Sequence, residues 1–284
     1  MESEKPGLKK HLVSTIKERC RVCYTCVREC PAKAIKISNG QADIIPERCI
    51  GCGNCVKVCS QNAKVFRKEI DEVKSLVNGD YRVAAIVAPS FPAEFSEIKN
   101  HRLLVSLIRK LGFDYVSEVA FGADLVAEEY KKLMGAGNYP PVISSDCPAI
   151  VSYIEHYHPD LVDSLAHIVS PMVAMSKAMR SRYGKDLRIV FIGPCIAKKD
   201  ESLLIDAALT FRELREMIAQ TGLKPADVIP SDFDPPLGGK GAIFPVSRGL
   251  LNTVGVKEDI FERNVIVAEG RIDFQEAIKE FESG

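Results

Sequence analysis

The chain has 284 residues, and Lys plus Arg balance Asp plus Glu at 38 each, so length allows a second domain while charge supplies no global field. That balance argues against nucleic acid as a partner, and no apolar run reaches the roughly 20 residues needed to cross a bilayer. The opening MESEKPGLKK lacks the apolar core of a signal peptide, which makes the cytoplasm the expected compartment.

Eight of the ten cysteines lie between Cys20 and Cys59 in two runs of spacing C-x2-C-x2-C-x3-C. In a reducing compartment such clustering points to metal rather than to a disulfide framework. The spacing is that of two-cluster bacterial ferredoxins, in which the fourth cysteine of each run crosses to the other cluster. It assigns Cys20, Cys23, Cys26 and Cys59 to one [4Fe-4S] cluster, and Cys49, Cys52, Cys55 and Cys30 to a second. Pro31 follows the first run as this pattern expects, whereas Ser60 stands in the corresponding place after the second. Structural zinc and free thiols are the alternatives, but zinc has no use for a third cysteine at x2 and a fourth at x3. Between the runs, AIKISNGQADIIP alternates apolar and polar residues around Asn39-Gly40, a hairpin signal. The segments 27–34 and 56–63 suit one or two helical turns. Residues 10–68 therefore resemble the pseudo-twofold ferredoxin domain, an α+β unit.

The charged stretch KEIDEVKSLVNGD predicts a linker helix ending at Asn78-Gly79, which divides the chain into 1–79 and 80–284. Beyond it, YRVAAIVAPS, DYVSEVA, PPVISSD, LRIVFIGP and RNVIVAEG are short apolar runs separated by longer amphipathic stretches. That texture predicts an α/β domain with a mostly parallel sheet. In such sheets ligands lie off the carboxyl ends of the strands. Cys147 is expected after a strand PVIS, Cys195 after RIVFI, and Pro89-Ser90 after RVAAIVA, all on one rim. Taken singly, either cysteine reads as inert core packing. The glycine-rich DPPLGGKGAIFPVSRGL has no phosphate-loop order and reads as a loop folded over the rim pocket. His156 and His158 read as surface or helix-end residues, and Met172 and Met175 as core.

From residue 10 onward these motifs together resemble the [FeFe]-hydrogenase family. SSDCPAI is similar to its T-S-C-C-P motif and GPCIAKKDE to its M-P-C-x-x-K-x-x-E motif; FGADL and LTFRELREMI resemble further family segments. The resemblance implies that Cys147 and Cys195 are two of four thiolates of the active-site [4Fe-4S] subcluster. It makes Lys198 the donor to a cyanide of the di-iron unit, Glu201 its ion-pair partner, and Ala88 to Ser90 the lining of the bridging dithiolate. The plain alternative for Lys198 and Lys199 is a solvated helix start.

Two departures qualify what the resemblance implies. The family's third motif, a C-x3-C run, is not in these 284 residues, which reach only FQEAIKEFESG; a C-terminally incomplete chain is expected, with an H-cluster only where that motif is supplied. Asp146 stands where the family places a proton-carrying cysteine, the aligned relay positions are Tyr130, Leu133 and Ala166, and Gly193 replaces a methionine. Asp146 remains a candidate proton carrier, and the pattern resembles a divergent, sensory branch. Three functions are open: a hydrogenase-type oxidoreductase acting on H2 and protons with a ferredoxin or reductase as redox partner, a non-enzymatic two-cluster carrier, or an iron-sulfur scaffold.

Overall fold

The computed structural model describes residues 11–135, 140–255 and 265–283. The opening MESEKPGLKK and residues 263–264 of RNVIVAEG lie outside that range. In the N-terminal region, β1 (Val13–Thr15) pairs antiparallel with β4 (Lys64–Phe66), and β2 (Ile35–Ser38) pairs with β3 (Gln41–Ile44). The hairpin register sets Ser38 against Gln41, so Asn39 and Gly40 alone make the turn, at φ 50° and 69°. Both angles are left-handed, which is the type I′ geometry that Asn-Gly favours. Each cysteine run carries a single helical turn, α1 (Thr25–Arg28) and α2 (Asn54–Lys57), entered through a left-handed residue, Tyr24 or Gly53. These turns start earlier and end sooner than 27–34 and 56–63. After each, the chain folds back so that the Ala34 N–H donates to Cys30 Sγ at 3.2 Å and the Ala63 N–H to Cys59 Sγ at 3.3 Å.

Helix α3 (Ile70–Val77) leads into a sheet of β5 (Val83–Val87), β6 (Tyr115–Glu118), β7 (Arg188–Gly193) and β8 (Ala207–Thr210), all parallel, in spatial order β6-β5-β7-β8. Every residue of β5 is fully buried, because helices cover both faces of a parallel sheet. Along the chain come α4 (Phe91–Glu94), α5 (His101–Lys110), α6 (Ala120–Gly135), α7 (Pro148–Tyr157), α8 (Pro171–Tyr183), α9 (Phe211–Thr221), α10 (Gly249–Val254) and α11 (Gly270–Ser283). Met172 and Met175 of α8 are in the core. The connection after β5 runs to one side and β7 lies on the other, which makes the carboxyl ends of β5 and β7 the switch point where α/β proteins place ligands.

Three expectations about strands need correction. PVIS forms no strand: Ile143 makes one isolated bridge to Leu165, since Pro140 and Pro141 bring no N–H donors and the segment lies outside the sheet. Cys147 is instead the N-cap residue of α7. Val265 to Ala268 is not a strand either; it lies beside no partner strand and leaves Val265, Ile266 and Val267 exposed. Conversely, AALT is a strand that its small alanines concealed.

Candidate metal centres and the thiols at the sheet edge

The ten cysteines are all free thiols. Cys20, Cys23, Cys26 and Cys59 line one cavity of the N-terminal region, and Cys30, Cys49, Cys52 and Cys55 line another. In each case the fourth cysteine comes from the opposite run, because the turn after α1 or α2 carries it across the pseudo-twofold axis. Among the described residues no three His, Cys, Asp or Glu side chains gather closely enough for a single ion, while each cavity is lined by four sulfurs. Four soft donors around such a space fit a [4Fe-4S] cubane. Burial raises the thiols of Cys26, Cys49 and Cys52 and pushes Cys55 up to about 12, with Lys64 opposing burial at Cys26, Cys49 and Cys55. Thiols so disfavoured as free anions need a metal to be ionised.

The second cavity is pressed against the α/β domain. Gly53 has φ 74°, and a Cβ there would stand 2.6 Å from Ile196 Cδ1, so glycine permits this approach. Beyond Ile196 is Cys195, which leaves the carboxyl end of β7 beside Pro89 and Ser90 at the end of β5; the Ala88 N–H donates to Ile192 O at 2.8 Å. Cys195 is raised first by burial and next by Cys147, and Cys147 likewise acts on Cys52. Cys147 therefore falls within electrostatic reach of both Cys52 and Cys195. Gly193 belongs to the same packing: a Cβ there would meet Phe191 at 2.3 Å and Ala88 at 3.0 Å, which leaves no space for a methionine.

Lys198 binds the two segments together. Its Nζ donates to Asp146 O at 3.0 Å and lies 2.6 Å from Glu201 Oε2, an ion pair whose partners are each 13% exposed; the carboxylate oxygen lacks aligned hydrogen-bond geometry. Asp146 is raised to about 6, first by burial, with Ser144 and Lys198 opposing. Its Oδ2 accepts from Ser144 Oγ at 2.6 Å, while Oδ1 is buried without a partner. Tyr130 extends this chain, donating to Ser144 Oγ at 3.3 Å and accepting from the Ser145 N–H at 3.1 Å. Leu133 and Ala166 are apolar and pack with Tyr130 in one cluster.

Other residues fall away from these thiols. The loop 234–249 packs on the start of α6, just past the carboxyl end of β6: Asp124 accepts from the Gly239 and Gly241 N–H groups at 2.6 Å each, and Gly238 and Gly241 touch Ala120 where any Cβ would clash. His156 is exposed on α7, and His158 at its end pairs with Glu282 at 2.5 Å. A cavity of about 680 Å³ between the two regions reaches Cys49 but neither Cys147 nor Cys195. Lys199 is not solvated; it lies 3.0 Å from Glu213 with both side chains 1% exposed. Glu213 also closes the capping box of α9 and accepts the Glu69 N–H at 2.8 Å, so it joins the linker to the sheet. Its sequence signal is the T-x-x-E of Thr210 to Glu213.

Residues 81–282 match the family model for the iron only hydrogenase large subunit, C-terminal domain. The chain belongs to this hydrogenase family. Residues 12–60 match a 4Fe-4S dicluster domain, which makes the chain an iron-sulfur electron-transfer protein of [FeFe]-hydrogenase-like type. It is 32% identical over 217 residues to iron hydrogenase 1 of Clostridium pasteurianum, covering 65% of this chain and 38% of that protein. It is 31% identical to the periplasmic [Fe] hydrogenase large subunit of Nitratidesulfovibrio vulgaris, covering 86% of this chain and 66% of that one. Similarity at 22% extends to the cytosolic Fe-S cluster assembly factor NAR1 of Yarrowia lipolytica, over 70% of this chain and 48% of that protein. The chain thus spans only part of each of these relatives. In fold it is similar to HydA1 [FeFe]-hydrogenase from Chlamydomonas reinhardtii, with TM-score 0.56 and 23% identity over 72% of this chain and 62% of that one. Among the described residues, no helix is long and apolar enough to cross a membrane.

Proposed function

We propose that this chain is the electron-relay and sheet-edge portion of an [FeFe]-hydrogenase-type protein that interconverts or senses H2 and protons plus electrons. Electrons from a partner protein, a ferredoxin or a reductase, enter at the site of Cys20, Cys23, Cys26 and Cys59. With clusters bound they would pass to the site of Cys49, Cys52, Cys55 and Cys30, whose cavity faces the segment that carries Cys195. Ten free thiols suit a reducing compartment, and we place the protein in the cytoplasm. The observation that carries this reading is the packing of Gly53, beside Cys52, on Ile196, beside Cys195, with Cys147 raising both Cys52 and Cys195.

Cys147 and Cys195 are half of a cubane donor set, so these residues do not by themselves hold an H-cluster. What the chain's own groups do there is electrostatic. The Lys198 ammonium, oriented by Glu201 and Asp146 O, favours added negative charge at the thiol pair. Asp146, raised to about 6, exchanges a proton near neutral pH through Ser144, an exposed hydroxyl.

Substitution in the reduced, anaerobically prepared chain tests the relay. Cys30→Ser lowers iron from about eight to about four per chain and removes the paramagnetic signal that Cys49→Ser also removes. Loss of the signal assigned by Cys23→Ser would instead refute the crossed ligation. The likeness to an assembly factor favours a second reading, an iron-sulfur scaffold. H2/D2O exchange by the full-length protein supports the hydrogenase reading; absence of exchange together with cluster transfer to an apo-ferredoxin supports the scaffold.

A further inference from the structure

The two cysteine cavities are built from matching pieces, yet one of the positions at which they differ puts a buried cation beside one cavity and an apolar residue beside the other. Ala34 follows Cys30 as Ala63 follows Cys59, and each donates its N–H to that sulfur. The next residue is Ile35 in one half and Lys64 in the other. Ile35 is 7% exposed and lines the cavity of Cys30, Cys49, Cys52 and Cys55; Lys64 is 3% exposed and lines the cavity of Cys20, Cys23, Cys26 and Cys59.

The Lys64 ammonium donates to Thr15 Oγ1 at 2.6 Å and Ala42 O at 2.5 Å. Both acceptors are neutral, and among the described residues Lys64 takes part in no ion pair. Burying an unpaired ammonium in a small core is strongly unfavourable, and the apolar residue at the matching position shows that the fold accepts a hydrocarbon there. The sulfurs that share a cavity wall with Lys64 are those of Cys20, Cys23, Cys26 and Cys59, whereas Lys64 does not line the cavity of the other four. A cubane with four thiolates is a dianion that becomes a trianion on reduction, so a fixed cation on its cavity wall favours the reduced form.

We propose that Lys64 orders the potentials of the two-site relay, making the outer site of Cys20, Cys23, Cys26 and Cys59 easier to reduce than the inner site beside Cys147. This rests on the reading of the eight cysteines as two cluster sites. One electron moves from a reduced inner cluster to an oxidised outer cluster, with no bond made or broken and no proton transferred. An electron then rests at the end remote from the α/β domain, so that outward transfer is downhill and inward transfer waits on the potential of the partner.

The test is a spectroelectrochemical titration of the anaerobic full chain, its two signals assigned by Cys20→Ser and Cys49→Ser. In the unsubstituted chain the outer site has the higher potential. Lys64→Gln keeps a donor for Thr15 and Ala42 but removes the charge; its outer site shows about a tenfold smaller reduced-to-oxidised ratio at fixed poise, about 59 mV for a one-electron couple. The inner site moves less, and Lys64→Arg keeps the original order. Equal or reversed potentials in the unsubstituted chain, or an unmoved outer potential in Lys64→Gln with full iron, overturn the proposal. Should Lys64→Gln shed its outer cluster, the order in the unsubstituted chain and in Lys64→Arg decides. Iron well below about eight per unsubstituted chain refutes the two-cluster reading instead.

Discussion

In the ferredoxin region four thiols reach each cavity from short runs of chain, and the side chains packed around them mix small residues, Ala32, Ala34, Ala42 and Ala63, with Val13, Ile35 and Ile50. In the α/β domain the two thiols come from separate elements, behind a core of Ile86, Leu104, Ile108, Met172, Met175, Ile189 and Ile192. The first region keeps two sulfur-lined cavities within a small apolar core, while the second fills its interior with hydrocarbon. Cohesion therefore comes from bound metal in one and from apolar burial in the other.

Removing iron should break this comparison most severely. Anaerobic chelation is expected to abolish hydrogen-exchange protection across β1 to β4 while β5 and β7 stay protected. Persistent protection in the hairpin Ile35 to Ile44 would show that the small core suffices without metal. The next largest effect concerns the contact between the regions. Glu213→Ala leaves the buried Lys199 ammonium without its ion-pair partner and the Glu69 N–H without its acceptor, and should cost about 3–5 kcal/mol as a lowered melting temperature. A loss below about 1 kcal/mol would mean that the pair relaxes into solvent. The smallest effect lies wholly within the α/β domain. Burial first, and Asp124 next, raise Glu118 above the ordinary glutamate value of about 4.3. Because the folded chain then holds this proton to higher pH than the unfolded chain, its contribution to stability declines as pH rises from that ordinary value through the folded one. Glu118→Gln should flatten this segment of the stability-pH curve, and an unchanged curve would place the carboxyl in water.

The spacing of the eight cysteines and the Asn39-Gly40 turn were legible in the sequence because they are local: ligand crossing and turn type follow from a few consecutive residues. Strands β5 and β7 were legible too, since each is a continuous apolar run that only a doubly covered sheet can bury. PVIS carried the same apolar signal but formed no strand, because a strand exists only where a partner offers its backbone. AALT met such a partner in β7 and became one despite its small side chains. Likewise, no neighbour in sequence marks Lys64 or Lys199 as buried. Those two lysines, and the approach of Cys147 to Cys52, were decided only by tertiary structure, whereas Cys147 and Cys195 were already expected on one rim. A charge takes its environment from whatever the fold packs against it, and here Glu69 meets Glu213 across 144 positions of chain.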